Sequence, residues 1–180
     1  ITLQDEVNLL VIGYLVERKN HLTLFKAIKL LLESDKNVIL HVAGNGRFES
    51  TLKEFVVQNK LENNIIFHGL LERDQILKLI QKSHILVSSS EFETFGVNII
   101  EALAVGSPVA VLDSGGPRDI VTKKDGILFK ENTPEAFADA IGKIIERYDN
   151  YDQDEIASRC IERFEEDNIY EELSKFYSKH

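Results

Sequence analysis

Apolar residues enter this chain in two alternating rhythms. Short continuous runs rich in Val, Ile and Leu occur at Val7 to Ile12 ("VNLLVI"), Val38 to Ala43, Asn64 to Phe67, Ile85 to Ser88, Pro108 to Leu112 and Gly126 to Phe129. Most lack the polar alternation of a sheet with one wet face, so they predict parallel strands covered on both sides. Between them, apolar positions recur at helical spacing: Leu24, Ile28 and Leu31 share one stripe, and Ile76, Leu79 and Ile80 another. A further helix is predicted over Phe95 to Val105, starting near Gly96. Thr133 followed by Pro134 supplies the N-cap and first turn of one more, and acidic helical stretches are expected through Asp154 and Glu171. Strand alternating with helix predicts right-handed crossovers. The fold class that follows is α/β, a Rossmann-like doubly wound parallel sheet of about six strands with helices on both faces. Residues 1–180 contain no repeat, low-complexity run or linker, and a single domain is expected.

Sheets of this kind bind ligands beyond the carboxyl ends of their strands, so the chemistry is sought there. Gly13 follows the first run, but the three glycines of a dinucleotide fingerprint are absent. In "AGNGRFES" Gly44 and Gly46 are followed by Glu49 where a third glycine would stand, and no Walker P-loop pattern occurs. A nicotinamide dehydrogenase and a P-loop nucleotidase are therefore disfavoured, and Gly44 with Gly46 predicts a tight turn. Lys19 lies six residues after Gly13, just before a helix beginning near Asn20, with Arg18 beside it. Its ammonium could meet an anion at this edge, although taken alone Lys19 reads first as a solvated side chain, and Arg18 shares the ambiguity.

Two carboxylates occupy the stretch "EFETFGVNIIEALAVG". Glu93 falls in the loop before the predicted helix and Glu101 within it, among Val97, Ile99, Ile100, Ala102, Leu103 and Val105. A carboxylate in so apolar a helix is costly unless something bonds to it, so Glu101 should have a partner. Eight residues at about 1.5 Å each separate the pair by roughly 12 Å or somewhat less. Between them lies a helix N-terminus, whose free N–H groups and dipole favour an anion. Carboxylate, anion site and carboxylate complement sugar, diphosphate and ribose.

Composition narrows the classes. The 180 residues are 43% hydrophobic, enough for a proper core, and their formal charge of -9 speaks against nucleic acid or an anionic membrane surface as partner. No apolar run reaches the roughly 18 residues of a membrane span, no signal peptide is evident, and a cytoplasmic protein is expected. Cys160 is a lone thiol assigned to packing. No His, Cys, Asp or Glu spacing suggests a metal. His41, His68 and His84 are expected to be structural, His21 and His180 exposed, and the acidic run Asp149 to Asp154 a solvated loop. The chain contains no methionine, and it is read as a piece of something longer.

"EFETFGVNIIEALAVGSPV" resembles the Glu-x7-Glu signature of the group 1 retaining glycosyltransferases of the GT-B fold. Four further stretches are similar to that family in order: "GYLVERKNHLTLFKAI", "HVAGNGRFES", "IIFHGLL" and "DSGGPRDIV", with "KDGILF" as the closing strand. The resemblance runs from Val7 to about Ile145 and implies the C-terminal, donor-binding half of a GT-B enzyme. The N-terminal acceptor half would then lie outside this chain and would make any membrane contact, peripheral to the inner membrane.

The resemblance also implies roles. Glu101 would hold the ribose hydroxyls of a nucleotide diphosphate sugar, UDP-, GDP- or ADP-linked, and Glu93 would sit beside the donor sugar. Backbone N–H groups of Phe95, Gly96 and Val97 would face the donor phosphate or sugar. Lys19 would balance the leaving diphosphate in place of a metal, with Gly13, Arg18, Thr94, Gly115 and Gly116 completing the donor site. The transfer would proceed to a hydroxyl acceptor with retention, in surface polysaccharide or glycolipid synthesis, and without cofactor or metal. Three positions depart from the family's pattern: Tyr14 where an arginine is usual, Asp119 in place of glutamate, and Thr94 where glycine is common. A non-catalytic nucleotide-sugar binding module and a GT-B sugar-nucleotide epimerase are the alternative readings. A phosphorylase would need a pyridoxal lysine that the pattern does not mark.

Overall fold

A computed structural model of the chain describes residues 6–165. Among these residues six strands alternate with seven α-helices in the order β1 (Val7–Ile12), α1 (His21–Glu33), β2 (Val38–Ala43), α2 (Glu49–Gln58), β3 (Ile65–Gly69), α3 (Arg73–Lys82) and β4 (Ile85–Ser88), then α4 (Val97–Ala104), β5 (Val109–Leu112), α5 (Pro117–Ile120), β6 (Gly126–Phe129), α6 (Pro134–Glu146) and α7 (Gln153–Phe164). All pairings are parallel, and the strand order is β3-β2-β1-β4-β5-β6.

The continuous apolar runs have the expected cause. On β5, Ala110 and Leu112 belong to a core layer with Phe25, Ile28, Phe137 and Ile141 from α1 and α6. Val109 and Val111 belong to the opposite layer with Ile99, Leu103, Ile120 and Ile156 from α4, α5 and α7. Both faces of the strand are dry, so no position along it favours a polar residue. β1, β2, β4 and β6 keep the bounds read from the sequence. β3 runs one residue later at its start and two at its end, and β5 begins at Val109, because Pro108 has no N–H to give and joins the ladder only as the acceptor for Leu86. α2 buries only Leu52 and Val56, too thin a stripe to stand out in the sequence.

Two other expectations are corrected. His21 is only 2% exposed, because it lies one turn before Leu24 and Phe25 on the inward stripe of α1. The acidic run from Asp149 is a short 3-10 turn, Tyr148–Asn150, followed by Asp152 capping α7, its side chain accepting the Glu155 N–H at 3.0 Å. Glu171 and His180 lie outside the described residues. His84 is structural as expected, its Nδ1 accepting the Asn8 N–H at 2.9 Å.

β1 sits beside both β2 and β4. The chain leaving β1 enters α1 on one face, and the chain leaving β4 enters α4 on the other. A crevice therefore opens between the two loops at the carboxyl edge.

Candidate functional site

The loop after β1 closes in a 3-10 turn at Glu17–Lys19, and Asn20 takes the left-handed conformation that launches α1. Its position is set from the other side of the crevice. Ser89 Oγ donates to the Lys19 carbonyl at 2.7 Å, and the Glu91 N–H donates to the Arg18 carbonyl at 3.0 Å. Across this seam Lys19 Nζ donates to Glu93 Oε2 at 2.7 Å, with the two side chains 18% and 16% exposed. The structure thus brings together two residues that the sequence placed at the same edge without linking them.

Glu93 is held by the Gly115–Gly116 loop. Its N–H donates to the Ser114 carbonyl at 3.2 Å, and its carbonyl accepts the Gly116 N–H at 2.8 Å. Gly115 has φ +114, and a Cβ on Gly116 would overlap the Thr94 carbonyl. Neither position tolerates a side chain at this approach. A bidentate pair from Arg118 to Asp113, with donor distances of 2.9 to 3.3 Å, closes the base of the loop.

Gly96 caps α4 with φ +94, a left-handed turn that re-aims the chain after Thr94 and Phe95. Among the described residues the N–H groups of Phe95, Gly96 and Val97 have no acceptor. They are the open donors of a helix start and lie two to four residues from Glu93. Asn98 Nδ2 donates to the Ile12 carbonyl at 3.1 Å and ties α4 to the end of β1. Glu101 lies one turn further along the stripe of Val97 and Asn98. It is half-buried, and its side chain has no hydrogen bond or ion pair among the described residues, so the partner expected for it does not occur among them.

Next to this arrangement a largely apolar cavity of about 230 Å³ opens beyond β1, β2 and β3. Ile12, Gly13, Gly44, Leu71 and Ile76 line it, and Tyr14, 66% exposed, stands at its rim. Gly44 must be glycine, since its φ is +143 and a Cβ would overlap the Gly13 carbonyl. Arg18 and Thr94 are exposed, and Arg18 contributes only its backbone to the bonds described. His21, two residues from Lys19, is buried with its Nδ1 unpartnered. Desolvation, with the Lys19 charge behind it, lowers its pKa from 6.5 to about 4, so the ring is neutral near pH 7. Among the described residues no cluster of three or more His, Cys, Asp or Glu could hold a metal ion, and no helix is long and apolar enough to cross a membrane.

Sequence reading missed Ser89, Glu91 and Asn98. Asn98 was the one with a signal, as the single uncharged polar residue in an apolar helix.

The chain is similar to known proteins over most of its length. The family described as glycosyl transferases, group 1, matches residues 3–167. An uncharacterised glycosyltransferase of Methanocaldococcus jannaschii is 27% identical over 176 residues, covering 96% of this chain and 45% of that protein. The poly(glycerol-phosphate) α-glucosyltransferase of Bacillus subtilis is 26% identical over 170 residues, covering 93% of this chain and 25% of that protein. Among solved structures, Anabaena HepE in complex with UDP and glucose superposes with a TM-score of 0.83 at 20% identity, covering 98% of this chain and 49% of that one. The chain thus spans less than half the length of these relatives. With the family match extending over nearly all of it, this chain belongs to the group 1 glycosyl transferases.

Proposed function

We propose that this domain is the donor half of a retaining glycosyltransferase. It holds a nucleotide diphosphate sugar whose sugar passes to a hydroxyl of an acceptor carried by a further, N-terminal domain. The observation that carries the reading is the Lys19–Glu93 pair set against the unpaired N–H groups at the start of α4, with unpartnered Glu101 one turn beyond. An open helix start and an ammonium suit a diphosphate. A carboxylate free of protein partners suits the vicinal hydroxyls of a ribose. The cavity beside Tyr14 has the size and apolar lining for a nucleobase.

As the bond between sugar and phosphate breaks, negative charge grows on the leaving diphosphate. The Lys19 ammonium and the N–H groups of Phe95, Gly96 and Val97 oppose that charge most strongly when it is largest, which lowers the barrier. Glu93, fixed by the Gly115–Gly116 loop and by Lys19, accepts hydrogen bonds from the donor sugar's hydroxyls near the reacting carbon. A fixed cation and helix start do this without a metal. The relative named a poly(glycerol-phosphate) α-glucosyltransferase supports a role in surface polymer or glycolipid synthesis. The 180-residue chain alone binds donor without turnover.

Isothermal titration of UDP-, GDP- and ADP-glucose into the chain, with EDTA present, tests this. One nucleotide binds, and Glu101→Ala weakens it more than tenfold. Absence of binding by all three removes the reading.

A further inference from the structure

α7 touches both arms of the site from behind. Gln153, its first residue, packs so closely on Gly106, just past α4, that a Cβ there would overlap the Gln153 backbone. Two turns further on, the Cys160 thiol donates to the Ile100 carbonyl inside α4 at 3.4 Å. Near the end of α7, Arg163 donates through Nη1 to the Ile120 carbonyl at 2.8 Å and through Nη2 to the Asp119 carbonyl at 2.6 Å. Those are the last carbonyls of α5.

α5 has four residues and starts directly after Gly116, its N-cap. A single turn is unstable by itself, since it fixes several backbone angles for very few hydrogen bonds. The guanidinium supplies donors for its terminal carbonyls and a positive charge at its negative end. Any shift of α5 carries Gly115 and Gly116 with it, and with them the backbone of Glu93, which Gly116 holds at 2.8 Å. Resting on the reading of Glu93 as the sugar-side carboxylate, we propose that Arg163 is a positioning residue. It fixes the Gly115–Gly116 loop, and thereby the Glu93 end of the site, without touching the ligand.

Arg159, four residues earlier, provides the contrast within the same helix. Its guanidinium grips Asp125 at 3.1 and 3.0 Å, and Asp125 also accepts from the Thr122 N–H and hydroxyl. That anchor reaches the turn before β6 and leaves the Gly-Gly loop alone.

Two measurements on the 180-residue chain separate this role from general stability. Hydrogen exchange of the unliganded protein, read by NMR, reports on the loop directly. In Arg163→Gln the Glu93 and Gly116 amides exchange at least tenfold faster, in Arg163→Lys the change is smaller, and in Arg159→Gln these two amides keep their wild-type rates. Titration then compares UDP with UDP-glucose: Arg163→Gln weakens UDP-glucose at least tenfold and UDP less than twofold, because only the sugar end is displaced. Wild-type exchange at Glu93 and Gly116 in Arg163→Gln, or equal acceleration in Arg159→Gln, overturns the proposal, as does equal weakening of UDP and UDP-glucose. A wild-type chain that binds no nucleotide sugar refutes the donor reading, while the exchange experiment still decides whether Arg163 holds the loop.

Discussion

Lys19→Ala separates two jobs of one ammonium, the first seen in the structure and the second proposed. In the free protein it neutralises Glu93 at 2.7 Å, with both side chains less than a fifth exposed. Surface pairs contribute under about 1 kcal/mol, and breaking a buried pair costs about 3–5, so this nearly buried pair should cost about 1–2 kcal/mol when Lys19 is removed. Most of that loss comes from leaving Glu93 uncompensated. Lys19→Ala/Glu93→Gln should therefore regain much of it, seen as a urea midpoint returning toward wild type. In the proposed donor complex the ammonium would oppose a diphosphate. A hydrogen bond to a charged group contributes about 1.5–3 kcal/mol, which corresponds to roughly 10- to 150-fold in Kd. Neutralising Glu93 does not restore that affinity for UDP or GDP. Stability is rescued by the second substitution and nucleotide affinity is not. If Lys19→Ala binds the nucleoside diphosphate as tightly as wild type, or if Glu93→Gln restores affinity along with stability, Lys19 does not act on the diphosphate.

Two more predictions follow from burial. His21 has its pKa lowered to about 4 against 6.5 unfolded, so the unfolded chain takes up the proton first and stability present above pH 6.5 is lost as pH falls toward 4. Between pH 7 and pH 5 the loss is about 2 kcal/mol, and His21→Leu flattens that part of the urea-midpoint profile; an unchanged slope contradicts the assignment. Ile76→Trp places an indole in the 230 Å³ cavity. Nucleotide affinity should fall more than tenfold with the thermal midpoint nearly unchanged, and calorimetric affinity equal to wild type would show that the base lies elsewhere.

Four strand boundaries and the α/β class were legible because a strand buried on both faces writes itself as an unbroken apolar run. Glu93 and Lys19 stood out as charges in the loops that follow such runs, and Glu101 as a carboxylate inside an apolar helix. What could not be read was contact across the crevice. Ser89 and Glu91 bind backbone carbonyls of the Lys19 turn, and a carbonyl carries no side-chain signature. His21 was misjudged because its neighbours in sequence, Lys19 and Asn20, are polar, while its neighbours on the helix, Leu24 and Phe25, are core. Arg159 and Arg163 looked like ordinary charges of an acidic helix, and only tertiary packing gives them Asp125 and the end of α5 to hold.

The Lys19–Glu93 bond joins residues 74 positions apart, from strands adjacent in the sheet but separated by β2, β3 and their helices. A site divided in this way has no partly folded version. Half the chain must be threaded and the central pair β1–β4 zipped before the two side chains meet, so any ligand that uses both is a probe of the finished topology. Its binding free energy is felt by the whole cooperative unit, about 2.7 kcal/mol at a hundred times Kd. Saturating nucleotide should accordingly slow exchange in the most protected strands, far from the ligand, as much as in the loops that touch it.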